Sequence, residues 1–582
     1  MAYRVRLLFA CLMVSFFIAA PTASVNASND VVPRKLQVNY QPSLFGVHEQ
    51  LLRENTENSR NVTINIHNMA KMGVRHHREA IFVSTLMQNC TNFYADKKAI
   101  EDYVLTEDAS HGIEVLGCWS DLPFWLTGLS GWGATPWRDT TPGSKYMGFI
   151  SNYTKMWKTL VHAFPQIMKW EVGNELNHDP FMHPPEYPMM NFTYAQKISI
   201  MCDLAYYGTM AIHQENPSAI SVFNGLAPVN LTKAVVISGI RDYMALIYEN
   251  IKSGLYPCPP AAPSTKTDDY FQMAAWHPYL WSAGPNTTNW VIPNNEIHDV
   301  MVSNGDGSKH VLFTEFGYTQ WAGNPAENQI GQWHMDAFML AGTNFPWLDT
   351  IYVHQLVDNV EATEEGENHY GFLLSPAGSY AWKTRAYSYQ SCSLDANDFN
   401  AYCSQWNFDA WNSPEGWTSS AGMTAPIVGA GFLNTSKTSD AAWLLGPSGQ
   451  SINADIYKHI WIRMRASAGT QAALYFTRSD DTAWDESKSL WFTVQPGWNN
   501  TGTEFVTYIL DMSAKASWHG TVTQLRLDPI KISPATGNVQ IDYIRVGAPA
   551  PVPEIAGLPI LIAVIAICFS AGLLKAIPRR GE

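Results

Sequence analysis

The chain has 582 residues, of which 46% are apolar and 13% aromatic, with 22 tryptophans and a formal charge of −14. This length exceeds what one ordinary core organises, so two domains are expected once the ends are set aside. The charge excludes a nucleic-acid backbone or an anionic membrane surface as partner, and the aromatic load fits a protein with stacking surfaces.

At the N-terminus, Arg4 and Arg6 precede an apolar run that closes on Val25-Asn26-Ala27. This is the pattern of a secretory signal peptide over residues 1–27, with an uncleaved anchor as the alternative. At the other end, "APAPVPE" at 548–554 reads as an extended linker. It leads into a mostly apolar stretch at 555–577, long enough for a transmembrane helix and followed by Arg579 and Arg580. Basic residues after the span favour an inside C-terminus, so the folded body is expected outside the cell, anchored at its surface. The order of Val-Pro-Glu, apolar span and Arg-Arg resembles the sorting tails of prokaryotic surface proteins. However, Pro553-Glu554-Ile555 lacks the second proline of the commonest version, and a plain membrane anchor reads equally well. Export permits disulfides, and Cys392 with Cys403 would close a short loop.

Between the ends, short apolar runs alternate with helical patterns from about residue 32 to 390. Eight strand candidates follow in order: "LFGVH" at 44–48, "GVRHHR" at 73–78, "GIEVLGCW" at 112–119 and "IMKWEVG" at 167–173. The others are "AISVFNG" at 219–225, "FQMAAWH" at 271–277, "KHVLFTE" at 309–315 and "TIYVHQL" at 350–356. Runs such as 61–72 and 195–215 supply helices between them. Eight βα units predict an α/β fold of the TIM-barrel type. A doubly wound open sheet is the competitor, but no Gly-rich phosphate loop follows the first strand. After Gln390 the helical period fades into short β-rich runs such as "KHIWIRMRA" and "VQIDYIRVG". These predict an all-β sandwich over 391–547.

In such a barrel the polar residues at the C-terminal strand ends carry the information. Strand one ends at His48, strand two at Arg78, strand four in Asn174-Glu175, strand six at His277 with Tyr279 beyond it, and strand seven in Thr314-Glu315. Two glutamates across one rim suit cleavage of a glycosidic bond, one donating a proton and the other attacking or activating water.

"WEVGNEL", "WHPY" and "HVLFTEFGYT", spaced as they are, resemble the clan A glycoside hydrolases, closest in texture to families 5 and 39. The resemblance covers about residues 40–390. It implies a retaining glycosidase in which Glu175 is the acid/base, Glu315 the nucleophile, and Asn174 the partner of the sugar's 2-hydroxyl. It further implies that Arg78 lies beneath the nucleophile and that Tyr279, with His277, orients it. His48 joins them as a rim candidate for the substrate. Strand eight departs from the pattern, offering His354 and Gln355 where many members place a tryptophan floor. Trp119, Trp276, Trp281 or Trp321 would then supply the platform. The substrate is expected to be a polysaccharide or oligosaccharide, and no metal or organic cofactor is implied. His76 and His77 of "RHHRE" point to opposite faces of a strand and read as structural.

The second domain resembles carbohydrate-binding-module-like jelly rolls through its tryptophan-rich opening and its closing "IDYIRV" strand. Trp411, Trp417, Trp484 and Trp498 are its candidate stacking surfaces, with a simple spacer role as the other reading. A non-catalytic glycan-binding surface protein is the rival for the chain as a whole.

Overall fold

The eight expected strands are all present, with their ends moved by the packing around them. They are β1 (Phe45–Glu49), β2 (His76–Ile81), β3 (Glu114–Trp119), β4 (Lys169–Glu171), β5 (Ile220–Val222), β6 (Ala274–Trp276), β7 (Val311–Phe316) and β8 (Leu348–His354). Together they form one parallel sheet in the order β5-β4-β3-β2-β1-β8-β7-β6. Parallel bridges from Val222 to Met273 and from Leu226 to Trp276 join its two ends. The sheet is therefore a closed barrel, and the open doubly wound alternative falls away.

This computed structural model describes residues 42–53, 61–232, 234–320, 325–359, 369–375, 380–396, 401–495, 505–532 and 536–548, all within one compact unit, Asn39–Glu582. The expected signal peptide at 1–27, nearly all of the linker and the apolar span at 555–577 lie outside the described residues, as do Trp321 and Trp498. Among the described residues, no helix is long and apolar enough to cross a membrane.

One long helix follows each strand: α1 (Val62–Lys71), α2 (Ala95–Ser110), α3 (Lys145–Ala163), α4 (Tyr194–Glu215), α5 (Ser238–Lys252), α6 (Ile292–Ser303), α7 (Glu327–Asn344) and α8 (Thr384–Ala396). Their starts are written in the sequence. Asn61 caps α1 by accepting from Ile64 N–H, Ser144 caps α3, and Thr193 with Gln196 forms a reciprocal capping box on α4. Apolar residues recur at helical spacing and bury one face against the sheet, as Ile240, Tyr243, Met244, Ile247 and Ile251 do on α5. Helix α8 continues to Ala396, past the point where the helical period was expected to end.

Strand alternation decides what faces the barrel axis. In β2, Arg78 points inward, while His77 and Glu79 face the helices. There His77 Nδ1 meets Asp108 of α2 at 2.7 Å, and Glu79 accepts from Leu51 and Leu52 N–H. Along the axis, Leu116, Val222, Met273, Leu312 and Tyr352 form an apolar plug. Two residues further along the strands, Cys118 succeeds Leu116 and Thr314 succeeds Leu312, so the interior turns polar toward the C-terminal ends.

Among the described residues of 401–548, two antiparallel sheets of six strands each form. One is centred on Gly537–Ala548 and His459–Ala466, the other on Thr521–Asp528 and Gln471–Arg478. Their inner faces meet in a core that includes Trp417, Leu433, Ile462, Leu474, Phe476 and Leu527. Trp417 is thus a core residue and no stacking surface, which corrects the expectation for it. Trp411, half exposed, and Trp484 remain at the surface. Cys403 is not bridged to Cys392; its thiol donates to the carbonyl of Val546.

The first sheet packs on α8. Arg463 pairs with Asp542, both fully buried, and the two reach Gln390 and Ser391 on the helix. Asp542→Ala leaves a buried guanidinium without its counter-charge, so a loss of about 3–5 kcal/mol is expected in urea or guanidinium unfolding.

Candidate active site

The site is assembled around Arg78, whose guanidinium lies inside the barrel with no exposure to solvent. Its Nε donates to Glu171 Oε2 at 2.6 Å. One terminal nitrogen meets Glu315 Oε1 at 2.9 Å and His48 Nδ1 at 3.1 Å; the other meets Asn174 Oδ1 at 2.7 Å and Cys118 Sγ at 3.0 Å. All five N–H groups are occupied. Arg78 therefore anchors the layer beneath the site and has no donor left for a ligand.

Glu171 ends β4 and is also fully buried. Beyond Arg78, it accepts from Gly225 N–H at 2.8 Å and from the Thr314 hydroxyl at 3.0 Å. The chain then leaves the strand through Gly173 and Asn174, and Glu175 takes φ 48, an uncommon left-handed conformation for a residue with a side chain. Its N–H bonds Gly225 carbonyl at 2.9 Å, tying the turn to the end of β5. This turn projects the Glu175 carboxyl toward Glu315 on β7.

One oxygen from each of Glu175 and Glu315, together with a His277 ring nitrogen, lie within 4.8 Å of one another. Both glutamates are mostly buried, with side chains 13% and 12% exposed. His277, just past β6, places Nδ1 2.8 Å from Glu175 Oε1 and 3.7 Å from Glu315 Oε2. Tyr279 donates its hydroxyl to Glu315 Oε2 at 3.0 Å. Burial alone pushes both carboxyl groups up, but their surroundings prevail. Contacts from His178 and His277 hold Glu175 at about 2, and the charges of His277 and Arg78 hold Glu315 at about 2. His277 is correspondingly raised: burial opposes its charge, and Glu315 and Glu175 overcome that.

The remaining expected residues fall on two sides of this centre. His48, buried, stacks on His354 at 5.1 Å, and burial with the nearby Arg78 lowers both imidazoles. His354 Nδ1 has no hydrogen-bond partner. Trp119 is nearly buried and, with Asp121, Trp132, Asn174 and Phe181, lines a narrow hollow beside Asn174. Trp276 is excluded as a platform. It lies outside the barrel wall, bonded to Asn294 and packed on Phe313 and Trp347. Trp281 is 45% exposed and stacks nearly parallel on Tyr279, 5.0 Å between centroids. On the opposite flank, a cavity of about 270 Å³ is lined by His178, Tyr187, Phe192, Tyr194 and Tyr243. His178 Nδ1 lies 3.7 Å from Glu175 Oε2 and so joins cavity and carboxyl.

Two sets of possible metal ligands occur here, His48-Glu315-His354 and Glu175-His277-Glu315. Neither fits a resident cation. The Arg78 guanidinium already lies on both His48 and Glu315, and His277 is committed through both ring nitrogens.

Sequence reasoning did not single out Glu171, Gly225, His178 or Asp121. Glu171 had a signal, because a carboxylate inside a strand of a closed barrel requires a cation. Asp121, two residues beyond β3, is pushed by burial up to about 6 against the pull of Ser84 N–H. A methyl group added at Gly225 would lie 2.3 Å from His277 Nε2, 2.5 Å from Thr314 Oγ1 and 2.8 Å from Glu171 Oε1.

No family model and no curated protein matches the chain. Several solved structures share part of its arrangement at low identity. A family 1 β-glucosidase from Thermotoga maritima is 14% identical with a TM-score of 0.44, covering 61% of this chain and 97% of its own. The virulence factor SghA from Agrobacterium tumefaciens is 12% identical with a TM-score of 0.46, covering 62% and 99%. A family 39 glycoside hydrolase from the gut symbiont Bacteroides cellulosilyticus WH2 is 12% identical with a TM-score of 0.43, covering 86% and 83%.

Gly225→Ala is expected to keep the barrel while displacing the groups it would strike. Overpacking of this kind costs about 1–3 kcal/mol. The variant should melt a few degrees lower yet lose far more ligand affinity or turnover than that drop in stability implies. Thermal unfolding beside calorimetric titration with oligosaccharides makes the check.

Proposed function

We propose that the chain is a retaining glycoside hydrolase acting on a polysaccharide or oligosaccharide. The observation that carries this reading is the convergence of Glu175 and Glu315 to within 4.8 Å, each with its own set of partners. A retaining pair sits roughly 5–5.5 Å apart, whereas an inverting pair leaves room for water at about 6.5–9.5 Å.

Glu315 is the nucleophile. Arg78 and Tyr279 each hold one of its oxygens, keeping it ionised and aimed. It attacks the anomeric carbon, forming a covalent glycosyl ester, while Glu175 delivers a proton to the departing oxygen. Water then enters, Glu175 takes its proton, and the hydroxide releases the sugar with its configuration retained. Asn174 gives its amide oxygen to Arg78, so its NH2 is the group left for a sugar hydroxyl. The narrow hollow by Trp119 and the exposed face of Trp281 flank the reacting ring.

The sequence pattern of the ends supports export and anchoring at the cell surface. The sandwich acts as an accessory module that holds the barrel or meets sugar through Trp411 and Trp484.

A panel of chromogenic glycosides and polysaccharides, with NMR of the first-formed anomer, tests the reading. Turnover with retention is expected, and Glu315→Gln should abolish it while sugar binding persists. Binding without release of sugar by the wild type would favour a non-catalytic glycan-binding protein. Tyr279→Phe removes one hydrogen bond to a charged oxygen, so kcat/KM should fall about 10- to 100-fold with the fold intact. Because Glu315 stays ionised down to about pH 2, activity is expected to hold through the range in which an ordinary carboxylate near 4.5 would protonate. Loss should begin only as pH approaches 2, as read from initial rates after brief acid exposure.

A further inference from the structure

The proton that this site uses can be located by following the hydrogen bonds inward. Thr314 has a single hydroxyl proton and two neighbours at 3.0 Å, Glu171 Oε1 and His277 Nε2. The Glu171 carboxylate already accepts from Arg78 and from Gly225 N–H, and it can only accept from Thr314 as well. The Thr314 proton therefore goes to Glu171, and its oxygen lone pairs face His277. That contact is a hydrogen bond only if Nε2 carries hydrogen. The tautomer of His277 is thus fixed from below, and its Nδ1 is left facing Glu175 Oε1 at 2.8 Å. Without a proton between them, a nitrogen lone pair would confront a carboxylate at hydrogen-bond distance.

We infer that Glu175 and His277 hold one shared proton, kept in place by the Thr314–Glu171 pair, and that this is the proton the reaction spends and recovers. In the resting site it lies on Nδ1, so His277 is an imidazolium beside the Glu175 carboxylate. Other charged groups face the same ring. Glu315 Oε2 lies 3.7 Å from Nδ1, and Arg78, on Glu315 and Glu171, opposes the charge from behind. His178 lies against the far oxygen of Glu175, and His354 stands beyond Glu315.

The inference rests on the glycosidase reading and refines it. When a glycoside occupies the site, the proton passes from Nδ1 to Oε1. The carboxyl group turns about its soft terminal torsion, and the proton goes to the leaving oxygen as the C–O bond breaks and the bond to Glu315 forms. His277 is then neutral, with hydrogen on Nε2 and an open lone pair toward Glu175. In the second half, water gives a proton to Glu175, which returns it to Nδ1, while the hydroxide displaces Glu315 as a carboxylate. The proton count closes. A carboxyl group held at about 2 can thereby serve as the acid, because its proton is stored one hydrogen bond away. His277, Thr314 and Glu171 act as positioning residues, since they reach the substrate only through Glu175.

Two measurements test this on the full folded chain. The first needs no substrate: long-range 1H–15N spectra of histidine-labelled protein, with the His277 signals identified by their loss in His277→Gln. At pH 6.5, where an ordinary imidazole is half charged, hydrogen is expected on both ring nitrogens, and at higher pH Nε2 should stay protonated while Nδ1 loses its proton. A neutral ring with hydrogen on Nδ1 alone overturns the inference, whatever the protein hydrolyses. The second is the pH profile of kcat/KM. Thr314→Val should move its alkaline limb down by about one unit, a tenfold change in the proton's affinity, while Thr314→Ser restores the wild-type limb. A limb that stays put in Thr314→Val, with overall rate merely reduced, assigns Thr314 to packing and overturns the relay. Complete inactivity of the wild type on every glycoside would instead sink the glycosidase reading and leave the spectra to decide the proton's place.

Discussion

Everything in the upper barrel depends on a guanidinium kept away from water. A buried cation is tolerated only when its charge and all its donors are met, and Arg78 meets them with groups from β1, β3, β4, the turn after β4 and β7. No one of those segments can shift without leaving a donor unsatisfied, so the cation sets the position of Asn174 and Glu315 together. Arg78 pairs with Glu171 and Glu315 together, and His277 lies on Glu175 and near Glu315, so these two cationic partners face three carboxylates. On the proposed glycosidase reading, the net negative charge of this cluster faces the hollow where a glycosyl group would develop positive charge.

The barrel was legible because its evidence is local. Helical spacing and short apolar runs each lie within a few residues, and they located eight strands and the helices between them. The two glutamates and Asn174 were legible too, because polar groups at strand ends point to one rim. Glu171, Gly225 and the role of Thr314 were not, since what they do is defined by partners from β2, β5 and β6, far away in the chain. Closure of the sheet brings them together, and no spacing in the sequence records it.

The tryptophans teach a different lesson. Their number suggested sugar platforms, yet Trp276 and Trp417 are core residues. For Trp276 the alternation of β6 was sufficient: once His277 faces the axis, its neighbour must face the helices. Trp417 had no such rule, because it lies just before a strand only two residues long, Thr418–Ser419, and its direction is set by the sandwich core. Aromatic content gives the size of the apolar load, and only a face assignment says where it goes.

The departure at strand eight has a structural counterpart elsewhere on the rim. His354 and His48 form a floor of two stacked imidazoles, held neutral by burial and by Arg78, where an indole was absent from the sequence. The broad aromatic surface appears instead after β6, where Trp281 lies flat on Tyr279. Tyr279 in turn holds Glu315 through its hydroxyl. Tyr279 thus joins the exposed aromatic surface to the hydrogen bond that fixes the Glu315 carboxylate. On the proposed reading, a sugar ring resting on Trp281 would be positioned by the same loop that orients Glu315, so the absence of an indole from β8 leaves that support untouched.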